Sequence, residues 1–272
     1  MADKCDLCLL GLIILSSLLT GISGVKDHVF ISSGENVRLS CNNALSDCKS
    51  TTWNYNRFRH SAGVALIAGG IKNKDTERHE RLSLESDCSL NIKNVTEEDY
   101  GFYKCRQYVN GQKQGPDADV FLHVLHVSVS LTSSSSSSSS SQTEISPGRS
   151  VTLSCQLYSY TVYSCDDRVS SGRFELLWVN QAGVDLKTDS RYQILSSSDQ
   201  YHCIITLTTT LLNEDNNREW RCQLTHRNQL ETSVRYTVKY SEAQTLRRHQ
   251  AELQQQLLHK VHDHIQEKLK SV

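Results

Sequence analysis

One order of residues occurs twice in this chain and limits its fold more than any other feature: cysteine, cysteine, tryptophan, cysteine, cysteine. It reads Cys41, Cys48, Trp53, Cys88, Cys105 and then Cys155, Cys165, Trp178, Cys203, Cys222. The outer cysteines lie 64 residues apart in the first copy and 67 in the second. A repeat of this period in a chain of 272 residues implies two similar domains, which agrees with a length prior of about 100–200 residues each. The other two cysteines, Cys5 and Cys8, form the only C-x-x-C spacing. The eight in the repeats are an even set without zinc or redox spacing, so disulfides in an oxidising compartment are expected.

Residues 1–24, "MADKCDLCLLGLIILSSLLTGISG", begin polar with Lys4, run apolar from Leu7 to Leu19, and turn small at Gly21, Ser23 and Gly24. This is the grammar of a cleaved signal peptide. The apolar run is shorter than the roughly 20 residues of a membrane span, and a retained anchor is the lesser alternative. No later segment approaches a span, so the expected product is secreted, or displayed on the extracellular side of the plasma membrane if a longer anchored form exists. With 29 Lys+Arg against 30 Asp+Glu, no broad basic field exists to attract phosphate backbones, and nucleic acid is excluded as a partner.

Apolar residues around the cysteines alternate with period two. Examples are Val37, Leu39 and Cys41; Leu90 and Ile92; Val151, Leu153, Cys155 and Leu157; and Cys203, Ile205 and Leu207. Short half-buried strands separated by polar turns indicate a β-sandwich. The segments "NVRLSC", "TTWNY" and "EEDYGFYKC" resemble strands B, C and F of an immunoglobulin domain, and the chain is similar to two-domain, receptor-like members of the immunoglobulin superfamily. The resemblance implies that Cys41 bridges Cys105, that Trp53 packs on that bridge, that Tyr103 anchors the E–F corner, and that Asp99 pairs with Arg81. These are variable-type features, and "VALIAGGIKNK" can supply the extra C′ strand.

The second copy keeps Cys155, Trp178 and Cys222. It has Trp220 where the corner tyrosine stands, and Asn216 and Arg218 where aspartate and glycine would be. Its "CQLTH" resembles a constant-type strand F, so its subtype is open. In the implied topology Cys48, in the B–C loop, can reach Cys88 at the start of strand E, and Cys165 can reach Cys203. Four cysteines nonetheless permit three pairings per domain.

The expected fold is all-β: two tandem immunoglobulin-like β-sandwiches followed by a C-terminal amphipathic α-helix. The expected segments are a signal peptide at 1–24, a variable-type domain at 25–126, a second domain at 127–240 carrying a serine-rich segment at 133–141, and a helical tail at 241–272. In the tail Leu246, Leu253, Leu257, Leu258, Val261, Ile265 and Leu269 share one face. That face is open to self-association into a homo-oligomer, to docking on the second domain, or to a partner. Nearby His259, His262 and His264 are read as a solvated polar face and not as metal ligands. Asn110-Gly111 signals a tight hairpin. Asn94-Val95-Thr96 is a glycosylation sequon.

No motif for nucleotide binding, nucleophilic catalysis or metal hydrolysis is present, so neither an enzyme nor a cofactor is expected. The leading reading is a secreted or cell-surface recognition protein that binds a protein ligand or counter-receptor, in immune or adhesion signalling. Outward parity on strand F offers Phe102, Lys104, Arg106 and Tyr108, with Asn54 and Asn56 beside them, as a ligand face. A solvated sheet face is the plainer reading of the same residues. The alternative function is structural, with the domains as spacers and the tail as the assembling element.

Overall fold

The computed structural model describes residues 26–42, 44–45, 47–58, 61–132, 145–160, 174–198, 202–241, 250, 253–260 and 262. The leader 1–24, the serine run 133–141, Cys165, His264 and most of the tail lie outside the described residues. The chain divides into two units. One comprises residues to Val124 together with 158–162, and the other comprises 125–157 and 163 onward.

The first unit contains β1 (Lys26–Ser32), β2 (Val37–Leu39), β3 (Thr51–Asn56), β4 (Val64–Ala68), β5 (Ile71–Lys72), β6 (Leu82–Leu84), β7 (Leu90–Ile92), β8 (Gly101–Val109) and the near half of β9 (Gln112–Thr132). One sheet runs β5-β4-β3-β8-β9, with β1 paired to β9, and the other runs β2-β7-β6. Side chains alternate across each strand with period two. Thr51, Trp53 and Tyr55 of β3 therefore point inward, as do Tyr103, Cys105 and Gln107 of β8. The inward set packs Leu39, Leu66, Ile67, Leu90, Ile92 and Leu122 around Trp53. The Cys41–Cys105 disulfide ties the two sheets through this core, and the Trp53 indole donates to the Cys88 carbonyl at 2.9 Å.

A 3-10 turn at Glu97–Asp99 leads into β8. The carboxylate of Asp99 is fully buried there. It accepts two hydrogen bonds from Arg81, at 2.6 and 2.9 Å, and one from the Thr96 N–H at 2.8 Å, and it pairs with Arg78 at 3.2 Å. The Tyr103 hydroxyl donates to the Asp99 carbonyl at 2.7 Å. Burial disfavours the phenolate and pushes the Tyr103 pKa well above its ordinary value.

The second unit contains the far half of β9, β10 (Ser150–Tyr158, to Leu157), β11 (Phe174–Asn180), β12 (Gln193–Ser198), β13 (His202–Thr210), β14 (Glu219–His226) and β15 (Gln229–Thr237). One sheet has the order β12-β13-β10-β9 and the other β11-β14-β15. Cys155 of β10 is bridged to Cys222 of β14, and Trp178 is buried beside it with its indole donating to Ile205 at 3.2 Å. Cys203 is also disulfide-bonded.

The corner of the second unit is built one residue earlier than the sequence alignment on Asn216 suggests. Asp215 is the buried carboxylate, held by Arg191, by Arg218 at 2.6 Å and by the Leu212 N–H at 2.8 Å. Trp220 fills the space of the corner tyrosine and packs edge-on against Tyr192. The hydroxyl that closes the corner comes from Tyr240, which donates to the Leu212 carbonyl at 2.6 Å. Beyond it residues 253–260 are helical, with Leu253, Leu257 and Leu258 exposed. Among the described residues no helix is long and apolar enough to cross a membrane.

Candidate interaction face of the first unit

The outward face of β3, β8 and β9 carries the six residues singled out as a ligand face. Cross-strand register places Asn54 opposite Lys104 and Asn56 opposite Phe102. On the other side Lys104 lies opposite Asp119 and Phe102 opposite Phe121. These pairs are held by a hairpin whose two turn residues, Asn110 and Gly111, both have positive φ. That is the geometry that matches strand twist in a two-residue loop.

The register does not run evenly from the hairpin to the core. Gln107 pairs with Gln114, but Cys105 pairs with Ala118, so the ladder slips at Gly115-Pro116-Asp117. Gly115 has a φ of 65°, and proline cannot donate to a ladder, so this pair reads as a bulge. The bulge brings Asp117 among three cations: Lys104 at 3.1 Å, Arg106 at 3.1 Å and Lys113 at 2.7 Å. Lys104 also reaches Asp119 at 2.8 Å.

Burial alone would raise the Asp117 pKa. Hydrogen bonds from Lys113, Lys104 and Arg106 outweigh it and bring the carboxyl down to about 2. Burial likewise works against the charge on Lys104, yet its bonds to Asp119 and Asp117 hold its pKa above the ordinary lysine value. The cations of this face are thus already partnered, and any ligand meets a fixed charge lattice instead of free lysine and arginine heads.

The six residues do not act alike. Phe102 packs its ring against Phe121 and Tyr160, at centroid distances of 5.0 and 5.9 Å, with the Lys104 ammonium 5.2 Å above it. The Asn56 amide is spent on its own loop, donating to Ser61 at 2.8 Å. Asn54 stays on the open face, Lys104 and Arg106 form the lattice, and Tyr108 stands exposed towards the hairpin tip beside exposed Val109. Asp117, Asp119, Lys113 and Phe121 belong to the face and were not singled out from sequence. The Gly-Pro interruption of an alternating strand was the signal that could have found them.

The same end of the sheet is braced. The Cys48–Cys88 disulfide joins the 3-10 turn at Cys48–Ser50 to a position two residues before β7. The turn between β4 and β5 lies over it, with the Gly70 N–H donating to Thr51 at 2.8 Å. A side chain at Gly70 would meet the Cys48 carbonyl oxygen at 2.6 Å. Ile71 and Leu45 are exposed next to this brace. Among the described residues no group of three or more His, Cys, Asp or Glu is placed to hold a metal ion.

A family model described as the immunoglobulin V-set domain matches residues 25–130. Among the matching solved chains is one in the crystal structure of ICOS in complex with ICOS-L and an anti ICOS-L VNAR domain. It is 15% identical, covering 79% of this chain and 100% of that chain, with a TM-score of 0.35. At that score the likeness carries no argument. A search of curated proteins returns no match.

Proposed function

We propose, on the premise that this is an immunoglobulin-superfamily protein with a variable-type first domain, that it is an extracellular recognition protein and binds a protein ligand through the β3-β8-β9 face and its hairpin tip. The observation that carries the reading is the Asp117 lattice. It holds Lys104 and Arg106 in fixed positions beside exposed Tyr108 and Val109. A guanidinium already held before contact loses little conformational freedom on binding, and arginine and tyrosine are the residue types that dominate interface energetics. The test is a binding screen of the full chain against cells displaying individual receptor ectodomains. A hit must weaken at least tenfold on changing Arg106 and Tyr108 together to alanine. A hit with unchanged affinity removes this face.

A second reading, assembly through the tail, is favoured by the exposure of Leu253, Leu257 and Leu258 along residues 253–260. Light scattering of the full chain against one ending at Tyr240 separates it. If both are monomeric, tail-driven assembly is ruled out.

A further inference from the structure

The sequon Asn94-Val95-Thr96 lies in the turn that joins β7 to the Asp99 corner. Its side chain and its backbone have opposite fates. Asn94 is exposed, its φ is 47°, and its carboxamide makes no hydrogen bond among the described residues. Everything else in the tripeptide is engaged. The Asn94 N–H donates to the Asn36 side chain at 2.9 Å and its carbonyl accepts from Arg81 at 3.1 Å. Val95 is buried, and its N–H and carbonyl bond to Glu35 and Gly34 at 2.8 and 2.7 Å. The Thr96 N–H and hydroxyl both donate to the Asp99 carboxylate, at 2.8 and 3.3 Å.

A transferase that recognises Asn-x-Thr must take hold of the tripeptide backbone and of the threonine hydroxyl. Both are sequestered once the corner closes. We propose that Asn94 carries an N-linked oligosaccharide that is installed only before the corner folds and is borne on the folded domain afterwards. The donor is a lipid-diphosphate-linked oligosaccharide. A bond forms between the Asn94 Nδ2 and the anomeric carbon, that carbon's bond to the diphosphate oxygen breaks, the lipid diphosphate leaves, and the amide proton passes to a base of the transferase. The site belongs to the β2-β7-β6 side of the sandwich, so the sugar leaves the β3-β8-β9 face uncovered.

Two measurements test this. The full chain secreted from a eukaryotic cell should yield an Asn94 peptide that converts to aspartate on enzymatic deglycosylation, and Asn94→Gln should abolish the signal. Separately, unglycosylated full chain with its disulfides formed should be modified by purified transferase and lipid-linked donor about a thousandfold more slowly than the same chain reduced and unfolded, because only the rare open state is a substrate. A bare Asn94 in the secreted chain overturns the assignment of the site. Equal rates for folded and unfolded chain overturn the order of events.

Discussion

The Asp117 carboxylate offers the sharpest physical test of the candidate face. Its pKa stands at about 2 against an ordinary 3.8, a difference equivalent to about 2.4 kcal/mol in favour of the ionised form. Solvent at this partly open face screens the interaction, which leaves about 1–2 kcal/mol. Because the folded-state value is depressed, the unfolded chain binds the proton first as pH falls. The contribution is therefore complete above about pH 4 and is lost as pH descends through about 2. A carbon-detected titration of the Asp117 carboxyl in the full chain should show a midpoint near 2, and Lys104→Gln should move it back up towards 3.8. In urea, Asp117→Asn should lower the stability of the first unit, followed by the amide signals of β8, by about 1–2 kcal/mol at pH 6 and by nothing near pH 2. A midpoint at the ordinary aspartate value, or a deficit that persists undiminished at pH 2, would refute the lattice.

Three other substitutions follow from the fold. Asp215→Asn removes the fully buried carboxylate that the half-buried Arg191 and Arg218 share and should destabilise the second unit by about 1–3 kcal/mol, read as earlier loss of β14 amide protection in hydrogen exchange. Removing the Cys48–Cys88 bridge as a serine pair releases a separation of 40 residues and should cost about 4 kcal/mol in the chain-entropy treatment, measured as a lower urea midpoint for the first unit. Gly70→Ala places a Cβ 2.6 Å from the Cys48 carbonyl oxygen at a φ of 75°. It should lower the melting temperature of the first unit by an amount equivalent to about 1–3 kcal/mol.

Features set by period and by large side chains were readable from sequence. The strands around Trp53 and Trp178, and the hairpin at Asn110-Gly111, rest on alternation and turn chemistry, which are local. Features set by register were not. Asp215 lies one residue away from the position that counting back from Cys222 selects, because the corner of the second unit has its own length, and Arg191 is recognisable as its partner only once β12 and β14 are placed. From sequence Tyr240 is only the last residue of the second domain; its role in the corner appears once its hydroxyl is found at Leu212. Parity correctly turned Phe102 and Asn56 outward, but parity gives direction and says nothing of what lies over a side chain. Phe121 and Tyr160 cover the first, and Ser61 binds the second. Asp117 was hidden because a bulge moves it out of step with the strand that carries it.

The same bulge separates two ladders within one hairpin. On the core side of Gly115-Pro116, pairs such as Phe102 with Phe121 are fixed by the sandwich, while on the tip side Tyr108 with Lys113 and Val109 with Gln112 are set by the turn and by the Lys113 contact with Asp117. Residues gained or lost at the tip can be absorbed at the slip without rewriting the interior. Selection can therefore reshape what the tip presents while the scaffold inherits the same packing, a division that lets the apex of the domain diversify faster than its body.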